Sequence, residues 1–66
     1  MNLIINGQKQ TVKDGLKIIQ LLDELKINRL SVAVELNLDI IPKNKYDKTI
    51  LKEGDKLEII SFVGGG

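Results

Sequence analysis

Bond-making chemistry needs a nucleophile, a base or a metal ligand, and this chain of 66 residues holds neither cysteine nor histidine. The usual nucleophile and base pairs, thiolate or imidazole metal sites and any disulfide framework are therefore excluded together. Carboxylates and lysines remain, but no paired carboxylates suggest acid–base work, and Glu35 and Glu58 read as solvated strand charges. What is left is the end of the sequence, "SFVGGG", where Gly64, Gly65 and Gly66 bring no side chains at all. Glycine loses more backbone freedom on ordering than any other residue. Taken alone, the three glycines are equally well an unpacked end. The other reading makes the missing side chains and the α-carboxylate of Gly66 the functional feature, and an α-carboxylate is an anion at neutral pH.

The rest of the composition limits what could surround such an end. Ten Lys and Arg against nine Asp and Glu give a net charge of +1, which offers no electrostatic excess for a phosphate backbone, so no nucleic-acid partner is expected. Lys43, Lys45 and Lys48 do gather, but Asp39 and Asp47 interleave with them and the segment reads as a solvated loop, Lys43 included. No apolar run approaches the roughly 20 residues that span a bilayer, so no membrane partner and a cytoplasmic location are expected. With 42% apolar and 29% charged residues, the chain is far from the disordered signature and long enough for one domain with one core.

The elements that must position the end follow from periodicity. Asn6-Gly7 joins two extended segments as a hairpin, with Met1, Leu3 and Ile5 on one face and Asn2, Ile4 and Asn6 on the other. After Asp14-Gly15 the residues Ile18, Leu21, Leu22 and Leu25 recur at helical spacing, which predicts a helix over 16–26 with one buried stripe. Gln20, Asp23 and Glu24 take its opposite face, and Lys26 stands near its C-terminal end. "LSVAVELN" alternates as a third strand with Val32, Val34 and Leu36 inward. Pro42 limits "II" to a short strand, and Tyr46, Ile50 and Leu51 anchor the polar loop that follows. Past a turn at Glu53-Gly54-Asp55, "KLEIISFV" sends Leu57, Ile59 and Val63 inward and Glu58, Ile60 and Phe62 outward. One helix across one face of a mixed four- to five-stranded sheet, with the first and last strands parallel neighbours, buries both amphipathic surfaces. This α+β architecture is the β-grasp arrangement of ubiquitin.

Read from Met1 to Gly66, the chain resembles the ThiS family of small sulfur carriers of thiamine biosynthesis. The residues that carry the resemblance are Val32-Ala33, Asn37 and Ile41-Pro42-Lys43 in "SVAVELNLDIIPK", the Gly-Asp turn in "LKEGDKLEII", and the glycines of "FVGGG". The chain departs from the family's pattern at Leu38, where many relatives have Gly after the Asn. A related alternative is the small subunit of molybdopterin synthase, another β-grasp carrier ending in Gly-Gly, although the short chain and "IIPK" favour the thiamine reading.

The resemblance implies a β-grasp domain over residues 1–63 and a flexible glycine tail over 64–66. It implies a protein co-substrate rather than an enzyme, with no bound cofactor. An E1-like adenylyltransferase would use ATP to adenylate the Gly66 carboxylate, and a sulfur donor such as a cysteine desulfurase would convert it to a thiocarboxylate. Thiazole synthase would then receive the sulfur, and the carrier would be a monomer when free. Gly64 and Gly65 solve a problem of access: three extended residues reach about 10 Å and, lacking Cβ atoms, thread where other residues would clash. Ile60, Phe62 and Val63 are the expected partner-binding residues beside the tail. Two other classes remain: a non-catalytic β-grasp interaction module, which would not need the terminus, and a stand-alone enzyme, for which the side chains are missing. Ile60 and Phe62 could also be core residues covered by the polar loop.

Overall fold

The computed structural model describes residues 1–62. The expected domain boundary after Val63 and the expected tail over 64–66 lie outside the described residues.

Strands β1 (Asn2–Ile5) and β2 (Gln8–Thr11) form the expected hairpin, with Ile5 opposite Gln8 and positive φ at Asn6 and Gly7, 49° and 81°. Helix α1 (Ile18–Glu24) follows, then β3 (Val32–Leu36), β4 (Asp39–Ile41) and β5 (Lys56–Ser61). The sheet order is β2-β1-β5-β3-β4. β5 is its central strand, parallel to β1 through Ile4 with Lys56 and Ile5 with Leu57, and antiparallel to β3.

The helix is shorter than the periodicity predicts. Gly15 turns the chain at φ 77°, and Lys17 is extended and bridges Ile50 instead of opening the helix. The side chain of Gln20 then accepts the Lys17 N–H at 2.8 Å. The first free N–H groups of α1 find partners in the loop across from it: Ile18 donates to Thr49 and Ile19 to Tyr46, at 3.1 and 3.0 Å. At the other end Lys26 is left-handed, with φ 58°. Ile27 donates to the Leu22 carbonyl and Lys26 to that of Asp23, the paired bonds of a Schellman motif with lysine where glycine is usual.

The core lies between α1 and one face of the sheet. Ile18, Leu21 and Leu22 from the helix meet Leu3, Ile5, Val32, Val34 and Leu57 from the strands, with Leu25 and Met1 at the margin. Tyr46 and Leu51 close the core from the loop side. Burial raises the pKa of the Tyr46 phenol, and a hydrogen bond with the Val34 backbone opposes the rise. Ile50 was expected to anchor the loop and does not, because it is 55% exposed. At the Lys17–Ile50 bridge successive side chains alternate, so turning Leu51 inward turns Ile50 out. No helix among the described residues is long and apolar enough to cross a membrane.

Candidate functional site

The candidate site is the outer end of β5, because in the sequence the glycines follow that strand. Alternation along β5 decides what surrounds the exit. Leu57 is 1% exposed and Ile59 packs against the core, whereas Ile60 and Phe62 are 48% and 62% exposed. The loop therefore does not bury Ile60 and Phe62, and its Tyr46 goes into the core instead. The structure places these two expected binding residues together at the end of the strand. Val63, Gly64, Gly65 and Gly66 lie outside the described residues.

Backbone pairing holds this end in place to within one residue of Val63. Ala33 pairs with Ile60 and Val32 with Ser61, and the Phe62 N–H donates to the Ser31 carbonyl at 2.9 Å. The β1 side is held differently, since β1 turns away after Ile5. There the Asn6 side chain takes over the ladder: its Oδ1 accepts the Ile59 N–H at 2.7 Å and its Nδ2 donates to the Ile59 carbonyl at 3.3 Å. A side-chain amide copies the donor and acceptor of one more strand residue. In the sequence, Asn6 signals only a turn.

One more exposed apolar residue lies on the same face, two strands away. Ile40, 74% exposed, pairs with Glu35, and Glu35 pairs in turn with Glu58. Two carboxylates thus stand directly opposite each other between Ile40 and Ile60, an arrangement that costs a sheet stability. Lys43 is the residue whose place the sequence did not show. Its Nζ donates to the Val32 carbonyl at 2.7 Å and stands 5.0 Å from the centroid of the Phe62 ring. Among the described residues no group of acidic side chains could hold a metal ion.

A small mixed sheet grasping one helix, with an apolar surface where the central strand runs out, defines the chain as a ubiquitin-like β-grasp protein. The sequence model of the ThiS family matches residues 3–66, the terminal glycines included. The crystal structure of the thiamine biosynthesis protein ThiS from Geobacter metallireducens superposes with a TM-score of 0.86 at 39% identity, each chain covered completely. The sulfur carrier protein ThiS of Bacillus subtilis is 38% identical over 65 residues, covering 97% of this chain and 98% of that one. A thiazole synthase of Paramagnetospirillum magneticum is 44% identical over all 66 residues, but the chain spans only 20% of its length. This chain belongs to the ThiS family, and its role is that of a sulfur carrier of thiamine biosynthesis, a protein acted on by enzymes.

Proposed function

We propose that the reacting group is the carboxylate of Gly66 and that the end of β5 docks the enzymes that act on it. The observation that carries this reading is the family match, which runs unbroken from the first strand through Gly66. The carboxylate resists attack at its own carbon but attacks phosphorus well. An E1-like adenylyltransferase would let one of its oxygens displace pyrophosphate from ATP, giving an acyl adenylate. A sulfur nucleophile then adds to the acyl carbon and AMP leaves. If the sulfur arrives as a persulfide, a second thiol must cleave the resulting S–S bond so that the thiocarboxylate is released and the thiol is oxidised. Thiazole synthase is the acceptor.

The reaction needs Gly66 as a free end. In a longer chain the peptide bond after Gly66 would have to be cut first. Gly64 and Gly65 give a path narrow enough for an enzyme cleft, and Ile60, Phe62 and Val63 supply the apolar contact that holds the end near the reaction centre. The test is intact mass after incubation with the adenylyltransferase, ATP and a sulfur source: exchange of one oxygen for sulfur adds about 16 Da. Deleting Gly66, or extending the chain by one residue, abolishes the gain and leaves the fold unchanged. Loading of the deleted form at the normal rate would exclude Gly66 as the reacting residue.

A further inference from the structure

A lysine on a loop ordinarily keeps its ammonium in water, where three donors are satisfied without cost. Lys43 is an exposed residue, yet its ammonium has a protein partner. The register of β3 with β4 stops at Val34 and Ile41, two residues short of Val32, and the chain turns at Pro42 into the short 3-10 turn Lys43–Lys45. Where a longer β4 would present a backbone donor, the Lys43 ammonium binds the Val32 carbonyl at 2.7 Å. From there it also stands over the ring of Phe62, at 5.0 Å from the centroid. That is within the distance at which a cation is drawn to the face of an aromatic ring. Val32 pairs with Ser61, so the lysine reaches across β3 to the last turn-off point of β5.

We infer that Lys43 is a positioning residue for the carrier reaction: it holds the Phe62 ring in one orientation, so that the docking surface is formed before a partner arrives. The inference rests on the sulfur-carrier reading for its consequence, but not for its geometry. The Phe62 backbone is tied to Ser31 and its ring to Lys43, which leaves less freedom to be lost when an enzyme binds there. Lys43 acts through Phe62 and touches no reacting atom.

Two measurements test this. In the wild-type protein the ring current of Phe62 shifts the Lys43 Hε resonances upfield, and Phe62→Leu removes the shift. In sulfur loading, Lys43→Met raises the KM for the carrier about two- to fivefold, the worth of an exposed cation–π contact, with kcat unchanged. Lys43→Arg restores it, since a guanidinium also stacks on a ring and donates to a carbonyl. In the Phe62→Leu background, Lys43→Met has no further effect. Additive effects would mean that Lys43 meets the partner directly, and an unshifted Hε resonance would mean that the ring is not held; either overturns the inference. A wild-type carrier that binds the adenylyltransferase but takes up no sulfur would overturn the function reading instead, and titration of the same variants by binding affinity would still decide the role of Lys43.

Discussion

Ile59 and Ile60 are the same residue, one peptide apart on the same strand, and they serve opposite faces of the sheet. Ile59 packs on the core beneath α1, while Ile60 is 48% exposed beside Phe62. The inner face is apolar because it must be, since it is the surface that drives folding. The outer face gains nothing of that kind from Ile60, Phe62 and Ile40. Single exposed apolar residues such as Ile40 need no explanation, but Ile60 and Phe62 stand together where the strand leads toward the glycines, beside the cross-strand pair Glu35 and Glu58. Stability explains one face, and the docking role proposed for Ile60 and Phe62 would explain the other.

The largest expected effect is at Leu57, the inner-face residue between Lys56 and Glu58. It is 1% exposed and touches the helix side of the central strand, so Leu57→Ala removes buried contacts and leaves a cavity. The expected loss is about 2–5 kcal/mol of folding stability, a large share of what a domain this small possesses. A denaturant melt measures it. Affinity for the adenylyltransferase, taken per folded molecule, should be unchanged. A variant as stable as wild type would mean that the inner face is not where the fold is held.

Phe62→Ala is the mirror experiment on the outer face. An aromatic anchor near the centre of an interface typically costs about 2 kcal/mol when truncated, some thirtyfold in affinity. The ring is 62% exposed, so folding stability should fall far less than for Leu57→Ala. Binding titrations with the adenylyltransferase and with thiazole synthase, set beside a melt of the same variant, separate the two terms. Unchanged affinity for both enzymes together with a large loss of stability would reverse the assignment of the faces.

The two faces were legible in the sequence because alternation along "KLEIIS" and "VAVEL" is a local property, and so was the stripe of Ile18, Leu21 and Leu22. The parallel pairing of β1 with β5 followed from element order. What the sequence hid depends on geometry beyond one element. Leu16 is apolar and fits a longer helix, yet it stands ahead of α1, with its side chain in the core and its carbonyl accepting the Leu51 N–H at 2.8 Å. Lys26 gives no sign of a left-handed helix end, since glycine is the usual signal. The third strand begins at Val32 because Arg29–Ser31 form a 3-10 turn, in which the Asn28 side chain accepts the Leu30 N–H. The reach of Lys43 to Phe62 depends on the register of three strands, and no spacing in the sequence encodes it.

The smallest expected effect comes from comparing the two hairpin turns that flank β5. Asn6-Gly7 and Asn37-Leu38 have nearly the same backbone: φ is 49° and 81° in the first, 51° and 74° in the second. Both asparagines also reach β5, Asn6 at Ile59 and Asn37 at the Lys56 N–H. The difference is the second residue. Gly7 meets no steric objection to its φ, whereas a branched side chain in the left-handed region costs about 1–2 kcal/mol. The Leu38 side chain is 89% exposed, so packing returns almost nothing for that strain. Leu38→Gly relieves it, less roughly 0.5–1 kcal/mol for the greater freedom of glycine in the unfolded chain. The net expectation is a gain on the order of 0.5–1 kcal/mol, or a few degrees in Tm for a domain of this size. Gly7→Leu should lose a similar amount, because nothing lies within 4 Å of a Cβ built there and the penalty would be conformational alone. Thermal melts of the two variants decide the matter: a fall in Tm for Leu38→Gly would show that the exposed leucine contributes more to the folded hairpin than its strained backbone costs.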